Sequence, residues 1–62
     1  MSAIVYITDG PAGKAGYFRC DKNGAPQVTT RRHAERFVDS RGASGVVNLL
    51  AGMSWAAEVR EA

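Results

Sequence analysis

Sixteen consecutive residues, 42–57, carry no charge in a chain of 62. They read Gly-Ala-Ser-Gly-Val-Val-Asn-Leu-Leu-Ala-Gly-Met-Ser-Trp-Ala-Ala and hold the only Trp and both Leu. A chain this short buries only ~60% of the surface its unfolded form exposes. It cannot leave a quarter of its length as an unpacked apolar run, so this stretch must supply the element against which the rest packs. It is not a membrane span, because sixteen residues fall short of the ~20 required and Gly, Ser and Asn interrupt them.

The period within the run is helical. With Ala43 at 0° and ~100° per residue, Val46, Val47, Leu49, Leu50 and Met53 fall within roughly 160° of one side, and Ser44, Gly45, Asn48 and Gly52 fall on the other. Ser40 or Ser44 is the expected cap of its start, and Gly52 a suitable terminator. The arc is wider than the ~100° needed to face one sheet. Val46 and Leu50 are therefore expected in the core, and Leu49 or Met53 at a second contact. Beyond Gly52, Trp55, Ala57 and Val59 alternate with Ala56, Glu58 and Arg60, which predicts a final strand, although the same residues also have high helix propensity.

The first two-thirds of the chain is polar and rich in turns. Residues 3–8, Ala-Ile-Val-Tyr-Ile-Thr, form a β-branched run closed by Asp9-Gly10-Pro11, and its two apolar faces predict a central strand. Residues 16–20 alternate, with Phe18 and Cys20 on one face and Tyr17 and Arg19 on the other. Asn23-Gly24 predicts a type I′ hairpin turn. Pro26 in the returning arm lacks an N–H donor and so places that arm at a sheet edge. Thr29 or Thr30 begins a helical turn over residues 31–35, and Arg36-Phe37-Val38-Asp39 reads as a short strand in preference to a continued helix. The expected fold is α+β: one domain over residues 1–62, with an antiparallel or mixed sheet of three to four strands and one main helix on one face. Ile4, Tyr6, Ile7, Phe18, Val28, Phe37, Val46, Leu50, Trp55 and Val59 are its expected core.

The chemistry-bearing residues do not assemble into a known catalytic or cofactor motif. Gly13-Lys14 is followed by Ala15, and Thr8 stands where a phosphate-binding P-loop needs its first Gly. Gly13-Lys14-Ala15-Gly16 has the GxxG form of KH domains, but a strand precedes it where that loop joins helices. Cys20 and His33 are single residues of their kind, too few for a zinc site and without an orienting third group for nucleophilic catalysis. Neither enzymatic activity, a metal nor a cofactor is expected. A lone cysteine suits a reducing cytosol, and Met1-Ser2-Ala3 has no basic signal region, so the expected location is cytoplasmic.

Eight basic residues against six acidic ones leave a net charge of +2. The densest basic segment is Arg31, Arg32, His33, Arg36 and Arg41, and on a helix Glu35 and Asp39 would neutralise much of it through i, i+3 and i, i+4 pairs. The candidate partner-binding residues are Arg31, Arg32 and Arg36, with Arg19 and Tyr17 as a second patch, because Arg and Tyr are enriched in binding hot spots. Tyr6, Tyr17 and Phe18 beside Arg19 also admit base stacking on single-stranded nucleic acid, the alternative function.

The order Ile4-Val5-Tyr6-Ile7, Gly16-Tyr17-Phe18, His33-Ala34-Glu35-Arg36-Phe37, helix, Ala57-Glu58-Val59 resembles small phage-encoded accessory proteins of the anti-CRISPR type. The resemblance implies a non-enzymatic inhibitor that blocks a host protein or ribonucleoprotein complex, such as a CRISPR effector, by steric or allosteric means. Many such proteins mimic DNA with acidic surfaces, and this basic chain departs from that. No family motif fixes functional positions, so no residue roles carry over. A homodimer through the apolar helix is a further expectation, nucleic acid is a less favoured partner, and no membrane partner is expected.

Overall fold

The computed structural model describes residues 2–62 and shows a four-stranded antiparallel sheet with one helix across one face. The elements are β1 (Ala3–Asp9), β2 (Gly16–Cys20), β3 (Pro26–Thr29), α1 (Ser40–Ala51) and β4 (Ala56–Glu61). Short 3-10 turns occupy Pro11–Gly13 and Arg31–His33. The sheet order is β3-β2-β1-β4. No helix among the described residues is long and apolar enough to cross a membrane.

β1 is central, as its two-sided apolar run predicts. It pairs with β4 over its whole length, from Ala3↔Glu61 to Asp9↔Ala56, with a bulge at Thr8. Its pairing with β2 is brief, Tyr6↔Tyr17 and Ile7↔Gly16, after which the two strands part. The chain after the second 3-10 turn fills that gap. The Glu35 N–H donates to Phe18 O (2.9 Å), and Phe37 exchanges two backbone hydrogen bonds with Ala3 (2.8 and 2.9 Å). The short strand expected over residues 36–39 is thus a single bridge at Phe37. Val38 and Asp39 leave the sheet because Asp39 is needed to start the helix.

α1 begins at Ser40, three residues earlier than the apolar period, and neither Ser40 nor Ser44 caps it. Asp39 is extended (φ −146°) and its Oδ1 accepts from the N–H groups of Arg41 (3.1 Å) and Gly42 (3.3 Å). A carboxylate also answers the positive end of the helix dipole, which a hydroxyl does not. Asp39→Ala is expected to lower stability by about 1 kcal/mol, read as a shift of the urea unfolding midpoint; an unchanged midpoint would mean the cap contributes nothing. Gly52 follows the helix in right-handed conformation, and the left-handed residue that turns the chain toward β4 is Ser54 (φ 65°). The hairpin also differs from expectation. Gly24 has φ +82° but Asn23 does not, so the turn is a three-residue loop with Gly24 as its left-handed member, tied by Asp21 Oδ1 to the N–H groups of Asn23 and Ala25.

The core lies between the sheet and α1: Ala3, Val5, Ile7 and Phe18 from the sheet, Ala43 and Leu50 from the helix. Val28, Phe37, Val46, Trp55, Ala57 and Val59 pack around it half-buried. Val5 belongs in this core by strand alternation with Ala3 and Ile7, though the expected list omits it. Leu49 and Met53, at the margin of the helical arc, are 65% and 45% exposed.

Candidate functional site

The second face of the sheet has no helix. Alternation turns Ile4, Tyr6 and Thr8 of β1 to this side, and the register adds Tyr17 and Arg19 of β2, Gln27 and Thr29 of β3, and Glu58 and Arg60 of β4. Both tyrosines therefore leave the helix-side core, where Tyr6 is expected from the sequence, and come together here. Their rings meet edge to face at 5.0 Å, at an interplanar angle of 67°. Ile4 is the cross-strand partner of Arg60 and is only 2% exposed, although it stands outside the helix-side cluster. The open face thus has a small apolar centre of its own.

Arginines converge on the tyrosine pair. The Arg60 guanidinium lies over the Tyr6 ring, 4.0 Å from its centroid, while its Nε donates to Glu58 Oε2 at 3.0 Å. That hydrogen bond, with smaller help from Tyr17, raises the Arg60 pKa above its ordinary value. Arg31 stands 6.0 Å from the Tyr17 ring centre and donates to the Glu61 carbonyl at 3.5 Å. Arg19 donates to the His33 carbonyl at 3.1 Å, tying the hairpin to the 3-10 turn. Three guanidinium groups stand against two carboxylates on this face, Glu58 and, past the bulge and opposite Ala56, Asp9, so it is net positive by one charge.

Of the residues expected to bind a partner, Tyr17, Arg19 and Arg31 are brought together, although the sequence places Arg31 in a different patch. Arg32 and Arg36 are exposed and no hydrogen bond or ion pair joins them to this cluster. The helical neutralisation of the basic segment does not form. The 3-10 turn ends at Ala34, whose ψ of 141° is extended, so Arg31, Arg32 and Arg36 do not form the i, i+3 and i, i+4 pairs with Glu35 or Asp39. Among the described residues the ion pair formed is Glu58–Arg60. Glu58 and Arg60 are the members that the sequence does not single out, and Tyr6 enters there only as a stacking group and a core residue. Their signal is the alternation of residues 56–60, which turns Glu58 and Arg60 to one side but does not say which strand lies next to them.

The other candidate chemistry is used locally. In the loop after β1, the Gly13 N–H donates to Gly10 O and the Lys14 N–H to Pro11 O, so these amides serve the turn and do not present a phosphate cradle. His33 Nδ1 lies 3.2 Å from Thr30 Oγ1, and Cys20 is an exposed free thiol at the end of β2. No group of three metal-binding side chains lies together among the described residues. An open groove of about 390 Å³ separates the start of α1 from the end of β4, lined by Ser2, Ala3, Asp39, Ser40, Val59, Arg60 and Glu61. In comparisons with known proteins, no family model, curated protein or solved structure matches the chain.

Proposed function

We propose that this chain is a non-enzymatic binding module that engages an acidic protein surface through the open face of its sheet. The observation that carries the reading is the Tyr6–Tyr17 pair with Arg60 laid on it and Arg31 beside it. Tyr and Arg dominate binding hot spots. Side chains already held by Glu58, the Glu61 carbonyl and the His33 carbonyl lose little further freedom on docking. Three arginines against two carboxylates, with the arginines gathered at the tyrosine pair, favour carboxylates on the partner.

Single-stranded nucleic acid is the second reading, favoured by the same tyrosines and arginines. Against it, Arg60 occupies one face of Tyr6 and Tyr17 meets that ring edge-on, so a base must displace a formed contact before it stacks. The narrower identity, an inhibitor of a host complex of the anti-CRISPR type acting in the cytoplasm, rests on the resemblance of size and element order, and the structure adds nothing to it. Blocking of target cleavage by an added CRISPR effector is its direct assay.

The test compares immobilised wild type, Tyr17→Ala and Arg60→Ala in nuclease-treated lysate. The expected result is a protein retained by wild type and reduced at least ~10-fold on either variant, as for a hot-spot residue contributing more than ~1.4 kcal/mol. Equal retention by all three excludes this face. Saturable binding of single-stranded DNA or RNA to the wild type, with affinity falling steeply as salt rises, would favour the nucleic-acid reading instead.

A further inference from the structure

The sheet order leaves two edges, β3 and β4, and they differ. β3 is four residues long and starts with Pro26, both features that discourage pairing. β4 is six residues long, Ala-Ala-Glu-Val-Arg-Glu, without proline. Its backbone orientation follows from its pairing with β1. The Ala62 N–H donates to Ser2 O at 3.1 Å, so by alternation Glu58 and Arg60 direct their backbone groups to β1. Ala57, Val59 and Glu61 direct theirs to the free edge, where Glu61 O already receives Arg31 and retains a second lone pair.

The side chains of this edge are complementary to themselves in one register. Glu58 and Arg60 stand on the open face two positions apart, and Val59 between them faces the helix side. Two antiparallel copies related by a two-fold axis must keep both faces continuous, so the axis passes at a residue, and the registers that set a charged side chain of this pair opposite a charged one place it at Glu58, Val59 or Arg60. At Glu58 the two carboxylates meet, and at Arg60 the two guanidinium groups meet; like charges directly opposite are unfavourable. At Val59 each Glu58 faces Arg60 of the second copy, the two valines meet on the apolar side, and their outward N–H and C=O groups exchange two hydrogen bonds. A single charge sign would guard the edge against every register. This alternation guards against two and favours the third. The groove beside Val59 and Glu61 adjoins the same edge.

We propose that two copies of this chain pair through their β4 edges, antiparallel and centred on Val59, joining two four-stranded sheets into one. The pairing uses the edge and not the open face, so it does not depend on the protein-binding reading. It would set two Tyr6–Arg60 patches side by side and make the module bivalent.

Sedimentation equilibrium of the full chain without any partner, from micromolar to millimolar concentration, tests the pairing. The wild-type mass is expected to rise from 6.6 kDa toward twice that value. Glu58→Arg and Arg60→Glu, separately, place like charges across the seam and should raise the midpoint concentration roughly tenfold or more. An equimolar mixture of the two variants restores opposite charges across the seam and should dimerise at least as well as wild type. Neither variant recovers its own internal ion pair in the mixture, so recovery reports the contact between chains. A synthetic chain N-methylated at Val59 loses an outward donor without losing a bond to β1, and should remain monomeric. A wild type that stays at 6.6 kDa at the highest concentration overturns the proposal. So does a dimer indifferent to these changes, which would place the contact elsewhere, as on the exposed Leu49 and Met53 flank of α1.

Discussion

Leu50→Ala is expected to lower the stability of this domain by ~2–5 kcal/mol, the range for emptying a closed apolar site. Leu50 is 0% exposed and belongs to the main core cluster, facing β1 and β4 from the last turn of α1. At ~0.05–0.15 kcal/mol per residue, 62 residues have a total stability of roughly 3–9 kcal/mol. The substitution therefore removes about half of what holds the chain folded, and at the low end all of it. Urea unfolding followed by Trp55 fluorescence measures the loss, since Trp55 packs against the same cluster. Leu49→Ala is the internal control: its side chain is 65% exposed, and its cost should stay within about 0.5 kcal/mol. Similar losses at the two neighbouring leucines would mean that α1 does not present the face described.

The second large effect comes from adding one methyl group, and its sign depends on where. At Gly16 a Cβ would lie 2.5 Å from Val28 Cγ1 and 3.0 Å from the Thr29 carbonyl oxygen. The valine tip can turn away, but the carbonyl belongs to the β2–β3 ladder at Tyr17↔Thr29, so the strands must separate. Gly16→Ala is expected to cost ~1–3 kcal/mol as an overpacked site. At Gly45, in the middle of α1, no atom beyond the adjoining helix backbone lies within 4 Å of an added Cβ. There the same change is expected to stabilise by ~0.4–1 kcal/mol, because alanine restricts the unfolded chain and suits a helix. At ~4–8 °C per kcal/mol for a domain of this size, the two melting temperatures should move in opposite directions and be resolved by circular dichroism. Two shifts of the same sign would contradict the packing of β2 against β3.

Local signals carried most of the architecture. The two-sided apolar run of residues 3–8 marks β1 as central, Pro26 marks β3 as an edge, and the helical arc singles out Val46 and Leu50 for the core, where Leu50 is buried and Val46 half-buried, and sets Leu49 and Met53 at its margin, where both are exposed. The differences arise where neighbours in sequence compete for one role. Asp39, Ser40 and Ser44 are all competent caps, and the extended backbone of Asp39 decides among them. Phe37 has the side chain of a strand residue, yet only its own backbone groups bond to β1, because the next residues must turn into the helix. The ion pairs drawn for Arg31, Arg32 and Arg36 presuppose a helix that stops after one 3-10 turn.

The candidate site was half legible for a different reason. Alternation within residues 16–20 puts Tyr17 and Arg19 on one side, and that is a local property. That Tyr6 and Arg60 join them depends on β1 lying between β2 and β4, a pairing across more than fifty residues that no short pattern announces. Arg31 arrives by its long side chain from outside the sheet. A basic cluster read along the chain therefore becomes a different cluster read across the strands.

The central claim is that one face of the sheet is closed by α1 and the other is kept for a partner. Hydroxyl-radical footprinting with mass spectrometry tests it at two adjacent residues, on the free chain and on the chain carrying its captured protein. Tyr17 faces the open side and is half-buried, whereas Phe18 faces the helix and is 2% exposed. The account predicts oxidation of Tyr17 and protection of Phe18 in the free chain, with Tyr17 becoming protected in the complex. Equal oxidation of both residues in the free chain, or a complex that protects Leu49 and leaves Tyr17 reactive, would contradict it.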